Sequence, residues 1–573
     1  MDKKRVKESL LQALFIVIIQ ITYVKVFGRN NMLVGMIMAM GAVSFLIRDL
    51  TAALLYRTVT FLILNVILGI LSYISIINIW TGILINFLTI FITTYIYMND
   101  FRMPTSYIFL MSYIFMWAMP VSLNELPNRL LALSLSIFII MLAQIIFNRN
   151  KFEKESSLII TDIVNDLQNH IDNIQNNEYD INKSIQINKK IRNLLTLINE
   201  RSHRRFVHSK KENNQFNVAV FLDRLNLIIN HIVKFKEDKS IKNNYLQDLK
   251  IQINNIKKFN EDTKDIDEIN KDIDDFINKC EKIENKPIFM YESIHLLKIF
   301  KLNINNSEEC KDKTLNKIYK TINIPSEFKL FNTMKENFNL NSLRFVYSIK
   351  LALAISLSMF LVQFFNIENG RWIVITIYVI MQPYKEDTVV KAKKRFMGTL
   401  IGVTLFFVIF STIHDSIPKI IILIIAFLCY FYFKEYDKKV MSITIVSLSS
   451  VSLVHNINIL SISRLIFIII GILIALIINM YFFPYNISDS IDELKYKYKK
   501  NSKEILKELN KVLKGNGDLD KLIKLSLIVN QIESKLIANN NRIKDANIEK
   551  LIYEHSIKMS DARFLLLSLY NDK

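Results

Sequence analysis

Lys391, Lys393, Lys394 and Arg395 stand in the stretch KAKKRFMGTLIGV, directly against an apolar run that carries Gly398, Thr399 and Gly402. Such a cluster suits a nucleic-acid patch, a solvated loop beside a core helix, or the cytoplasmic end of a membrane helix. It could also hold an anion, since a guanidinium offers a carboxylate a planar fork and an ammonium a point charge. Lys350, within an apolar stretch, and Arg371, Trp372 and Arg464 extend the same chemistry. Lys350, Lys391, Lys394 and Arg395 would raise the local anion concentration at one mouth of a path, and Arg371 and Arg464 at the other. Ser356, Ser358, Gln363, Thr376, Ser442, Thr444, Ser447 and Ser450 could line the route between them. Gly398 and Gly402, at i and i+4, would let a helix or a ligand approach the backbone. Each has a plainer reading. Cations at an inner helix edge set topology, Ser and Thr bond the carbonyl four residues back, and spaced small residues pack helices.

The elements that must position these residues follow from composition. The chain has 573 residues, is 51% hydrophobic, and yet carries a formal charge of +20. Those properties are segregated: residues 11–147 and 345–483 are largely apolar, whereas 150–340 and 485–573 are rich in Lys, Asn, Asp and Glu. The net charge alone does not point to an anionic partner. The first oily block offers candidate spans at 11–27, 32–47, 58–77, 80–98, 106–123 and 129–147. The second offers 345–365, 372–383, 396–413, 418–433, 440–454 and 464–483, and the second span of each half is short. With the N-terminus inside, the inner segments collect Lys3, Lys4, Arg5, Lys7, Arg48, Arg57, Arg102, Lys385, the 391–395 cluster, Lys434, Lys438 and Lys439. The outer loops hold Lys25, Arg29, Arg371 and Lys419, with Arg129 and Arg464 at outer helix ends. That asymmetry places both charged blocks and both termini in the cytoplasm. Trp80, Trp117 and Trp372 fall near outer helix ends, where an indole suits the interface. The 391–395 cations then form the cytoplasmic loop between the eighth and ninth spans. No stacking aromatics or recognition motif supports nucleic-acid binding.

Several functions are disfavoured. Cys280, Cys310 and Cys429 form no CxxC pair, so neither a zinc site nor a disulfide framework is expected. Neither G-x-x-x-x-G-K-[ST] nor G-x-G-x-x-G occurs. No nucleophile, base and oxyanion set is visible, so the chain reads as no enzyme and calls for no cofactor. The basic start has no small-residue cleavage site and leads at once into a second apolar run. No span holds Asp or Glu near its centre, where proton relays sit. Ion coupling would therefore use edge acids: Asp387 and Asp49 first, with Asp100 and Glu435.

The halves read as copies. A shift of 338 lays Arg57 on Arg395 and Asp49 on Asp387; a shift of 335 lays Arg129 on Arg464, Asp100 on Glu435 and Ser112 on Ser447. Six spans per half keep both copies in one orientation, as parallel repeats. The expected fold is an all-α membrane protein with two parallel six-helix transmembrane repeats, each followed by a cytoplasmic helical domain. The boundaries are 1–149, 150–342, 343–484 and 485–573. Ile160, Ile163, Val164, Leu167, Ile171 and Ile174 mark one helical stripe, and Ile266, Ile269, Ile273, Phe276, Cys280 and Ile283 another. Ile505, Leu506, Leu509 and Val512, then Leu519, Leu522, Ile523 and Leu527, continue the pattern at the C-terminal end. The cation-dense RSHRRFVHSKK at 201–211 reads as a solvated or membrane-facing segment.

The run GRWIVITIYVIMQP, followed by KAKKRFMGTLIGV, resembles the fusaric acid resistance (FUSC) or aromatic acid exporter family. Trp372, Pro383, Arg395, Gly398, Thr399 and Gly402 carry that resemblance, as does the alternation of six spans and a soluble block over nearly the whole chain. The first half departs from it, with Thr60, Phe61 and Leu64 in place of the two glycines and the threonine. The resemblance implies an inner-membrane efflux protein for small organic, often aromatic, carboxylates. Its partners would be the lipid bilayer and the anion, with a homo-oligomer as one assembly and no nucleic acid. An anion channel, like the plant malate channels that distantly resemble this family, and a membrane scaffold are the alternatives.

Overall fold

The computed structural model describes residues 3–47, 49–51, 54–98, 105–202, 210–234, 239–261, 265–283, 286–309, 330–413, 416–451 and 457–571. Arg48, Asp100, Arg102, Cys310 and positions 203–209 of the cation-dense segment lie outside them, as does the side chain of Ser450. The chain divides into two compact units: 1–147 with 330–490, and 148–329 with 491–573. Among the described residues every regular element is helical.

In the first unit the first apolar block forms α1 (Lys3–Phe27), α2 (Met32–Phe45), α3 (Leu54–Ile77), α4 (Ile79–Tyr97), α5 (Ser106–Ala118) and α6 (Leu126–Asn148). Helix α3 shows the solvent these helices are built for. Its buried face carries Arg57, Phe61, Asn65, Leu68, Gly69, Ser72 and Ser75, while Leu55, Val59, Ile63, Ile67, Ile70, Ile74 and Ile77 point outward. A helix with its polar residues inside and its aliphatic ones outside is stable only in hydrocarbon, since exposed apolar surface costs about 25 cal/mol per Å² in water. The chain is a multi-pass membrane protein.

The second unit interrupts the chain with α7 (Lys151–Gln175), α8 (Ile181–Ser202), α9 (Lys210–Lys234), α10 (Lys239–Asn260), α11 (Ile266–Glu281) and α12 (Ile288–Glu309). The first unit resumes with α13 (Leu330–Glu336), α14 (Leu343–Phe364), α15 (Arg371–Ile380), α16 (Lys385–Thr412), α17 (Ser416–Tyr432), α18 (Tyr436–Val451) and α19 (Ile457–Tyr481). Helix α13 belongs to this unit because Tyr95 Oη donates to the Met334 carbonyl at 2.5 Å and Phe338 packs on Tyr95 and Phe345. The second unit is completed by α20 (Ile487–Leu513), α21 (Leu519–Ile543) and α22 (Ala546–Asn571).

Among the described residues eight helices are long and apolar enough to cross a bilayer, but one of them, Asn214–Val233, lies in the second unit. It is no span, because Asp223 bonds Arg563 at 3.1 Å and Arg224 bonds Glu292 and Asp561. Those pairs mark a soluble-type core shared by α7–α12 and α20–α22. The stripe residues Ile160 to Ile174 and Ile269, Ile273, Phe276 and Cys280 are buried there, whereas Leu506 is exposed. Burial holds the Cys280 thiol up at about 11.

Two differences from the sequence reading bear on function. The 391–395 cations are not in a loop: α16 begins at Lys385 and runs through them. Lys and Arg are good helix formers, and Glu386 and Asp387 in its first turn favour the positive end of the helix dipole. Helix α15 has ten residues, about 15 Å of rise, half of what the hydrocarbon core requires. It ends ahead of Pro383 and turns back within the unit.

The halves exchange partners. Helix α1 packs on α17, and α14 packs on α4. The first helix of each half therefore lies against the fourth helix of the other.

Candidate functional site

Arg395 is buried on α16, and its charge is felt at the Tyr107 phenol together with Tyr347, Tyr430 and Tyr436. Tyr378 completes the group. Its ring stacks on Tyr107 with centroids 5.3 Å apart, and its hydroxyl donates to the Tyr107 carbonyl at 2.8 Å. Five helices supply these residues: α5, α14, α15, α17 and α18. Lys391, one turn before Arg395, places its ammonium 5.3 Å from the Tyr436 ring centroid, and Lys439 lies 5.9 Å from that of Tyr430. Tyr107 itself is 40% exposed. Arg395 Nε has no hydrogen-bond partner, and the Tyr436 phenol lies against the same guanidinium. Nothing in their local sequence singles out these tyrosines, which are scattered over five apolar helices. Lys394, singled out with Lys391, is exposed and points away.

A second cationic group surrounds Trp372. The Arg464 guanidinium lies over its indole, 3.6 Å from the ring centroid, and that of Arg371 approaches to 5.7 Å. Both arginines interact electrostatically with each other, and Arg464 with Arg395. Arg464 is 2% exposed, yet its Nε and Nη1 have no hydrogen-bond partner. A buried guanidinium costs several kcal/mol to desolvate, whereas a desolvated cation–π contact returns about 2 kcal/mol. The protein's own contacts do not offset that burial. Trp372 therefore serves as a platform for Arg464, and Trp117 is buried in the core; of the three tryptophans expected at the interface, Trp80 is the exposed one.

Arg129, which the 335-residue shift pairs with Arg464, has the opposite surroundings. Its Nε donates to Asn31 Oδ1 at 3.0 Å, Nη1 to the Met116 and Met119 carbonyls at 3.3 and 2.7 Å, and Nη2 to the Asn30 carbonyl at 2.9 Å. One arginine is saturated by its own chain, and its counterpart is not.

The remaining candidates lie elsewhere. Lys350 is fully buried and donates to Asn479 Oδ1 at 2.7 Å; Asn479 in turn donates to Thr388 Oγ1. This node ties α14, α19 and α16 together. Ser358, Ser442, Thr444 and Ser447 bond carbonyls of their own helices, while the buried Thr376 and Thr399 hydroxyls have no partner. Asp49 accepts from the Thr51 amide at 2.8 Å. Asp387, one turn before Lys391, interacts with its charge.

Gly398 and Gly402 face α18. A Cβ at 398 would strike the Asp437 carbonyl, and one at 402 would lie 2.8 Å from the Met441 carbonyl and 3.0 Å from Thr444 Cβ. Close helix packing thus accounts for both. Gly402→Ala should destabilise the protein by about 1–3 kcal/mol through overpacking against backbone that cannot yield. Thermal unfolding in detergent reads this directly, and an unchanged melting temperature would refute it.

Residues 357–478 match the family model described as fusaric acid resistance protein-like. That segment contains Trp372, Arg371, Tyr378, Lys391, Arg395, Tyr430, Tyr436 and Arg464, nearly the whole of both cationic groups. No curated protein and no solved structure matches the chain. Residues 357–478 are thus similar to the fusaric acid resistance protein-like family over the segment that carries both cationic groups.

Proposed function

We propose that the protein exports small organic anions, aromatic carboxylates above all, across the inner (plasma) membrane, with both termini and the second unit in the cytoplasm. The family match and the apolar helices support membrane transport or efflux as the role. The observation that carries the finer reading is the cluster in which Lys391 and Arg395 stand among Tyr107, Tyr347, Tyr378, Tyr430 and Tyr436. The cations would attract and hold a carboxylate. The tyrosine rings would take an aromatic face by offset stacking, worth about 0.5–1.5 kcal/mol per ring beyond area burial. In this reading the two halves are parallel repeats, the second keeping both cationic groups and the first contributing Tyr107 and otherwise serving as scaffold. Coupling would fall to Asp387 and Asp49.

Flux of radiolabelled benzoate from loaded proteoliposomes tests the reading. Uphill export driven by a pH gradient marks a carrier, and downhill flux indifferent to pH a channel. Absence of flux for any anion tried would leave the protein as a scaffold and overturn the proposal.

Orientation has its own test. Cysteines introduced as Asn78→Cys, Asn124→Cys and Ile457→Cys should react with an impermeant thiol reagent in intact cells, and Glu212→Cys and Asn516→Cys should not. Labelling at 212 would reverse the assignment.

A further inference from the structure

We infer that Arg371, Trp372 and Arg464 form a second anion station, separate from the tyrosine cluster and loaded in sequence with it. The inference deepens the transport reading and rests on it. Three observations converge. Arg464 is almost wholly buried, and its Nε and Nη1 meet no acceptor. No carboxylate is paired with it among the described residues. The half-buried Arg371 also has a buried Nε without a partner and approaches the same indole. Arg129, the counterpart of Arg464 in the other half, has all three of its nitrogens engaged by Asn30, Asn31, Met116 and Met119. The fold can therefore satisfy an arginine at this position from its own chain, and does so where no ligand is needed. In the second half the corresponding donors are left to an outside acceptor.

The chemistry of the station follows from its parts. Two guanidiniums without a carboxylate select an anion, and their planar forks favour carboxylate over a spherical ion. Trp372 lies under the Arg464 guanidinium, so the ring that supports the cation also adjoins an arriving ligand. Arg395 lies within electrostatic range of Arg464. An anion bound at Arg464 would thus be felt at Arg395 as well. The mutual repulsion of the three cations falls when either group is loaded, which opposes holding the anion too tightly at one place.

Trp372 is a built-in reporter, because the chain has three tryptophans. In the full-length protein carrying Trp80→Phe and Trp117→Phe, its emission should change saturably on titration with benzoate at constant ionic strength. Arg464→Gln should weaken that response at least tenfold, and Arg464→Lys, which keeps the charge but not the planar fork, by a similar factor. Arg371→Gln, half-buried and so the more easily tolerated change, carries the test if neither 464 variant assembles. Arg395→Gln should abolish flux yet leave the Trp372 titration within a few-fold. A response that is linear in benzoate, or unaltered in the Arg464 and Arg371 variants, overturns the second station. If flux persists in that case, the exporter reading survives alone. If the saturable response is present while no anion is carried, the station stands and the exporter reading falls.

Discussion

Benzoate efflux, if the proposed function holds, should fall roughly ten- to a hundredfold when Arg395 becomes lysine, while Arg57→Lys should leave it within about twofold, both at matched membrane abundance. Arg395 lies on α16 and Arg57 on α3, and both are buried. A topological role counts charge and not shape, so lysine would serve it at either position. A clamp needs the planar fork, and losing one charge-assisted contact costs about 1.5–3 kcal/mol. The structure sharpens the contrast. Arg395 has a buried Nε without a partner beside the tyrosine cluster, ten residues into its helix and not at its end. Arg57 shares its helix face with Phe61, Asn65 and Leu68, well inside the first half. Asp387→Asn belongs in the same experiment: wild-type expression and unchanged pH-dependent efflux would remove Asp387 from any coupling role. Wild-type transport by Arg395→Lys would return the whole cluster to a topology signal.

Arg129→Ala should destabilise the protein by about 2–4 kcal/mol, since it strands several buried acceptors at once. Asn31 Oδ1 and the carbonyls of Asn30, Met116 and Met119 would all lose a charged donor in surroundings where water does not replace it. Arg464→Ala should cost little or even stabilise, because it removes a buried charge whose Nε and Nη1 no acceptor satisfies. Apparent melting temperatures of the purified proteins make the comparison. Transport should separate the pair in the other direction: the 464 variant folds and fails to export, whereas the 129 variant loses abundance first. Equal destabilisation by both changes would mean that Arg464 is structural and would remove the contrast on which its binding role rests.

The sequence by itself determined the class of protein and the location of its membrane helices. Continuous apolar runs such as 58–77 and 129–147 leave a chain in hydrocarbon no choice but helix, because every backbone group must bond within its own segment. It also marked the second half as the richer in chemistry, since Trp372, Pro383, Arg395, Gly398, Thr399 and Gly402 are contiguous or regularly spaced. Tertiary structure decided which of those residues meet. Gly398 and Gly402 lie against α18 backbone, Lys350 is tied to Asn479, and Lys394 points outward, although each lies in a stretch with the same local signature as Lys391 or Arg395. Tyr107, Tyr347, Tyr378, Tyr430 and Tyr436 come together from positions more than 300 residues apart at the extremes. An isolated tyrosine in an apolar helix looks the same in sequence whether it faces lipid, core or cleft. The difference between Arg129 and Arg464 was equally hidden. Whether a buried guanidinium is satisfied depends on carbonyls at the ends of other helices, and those are placed by packing alone.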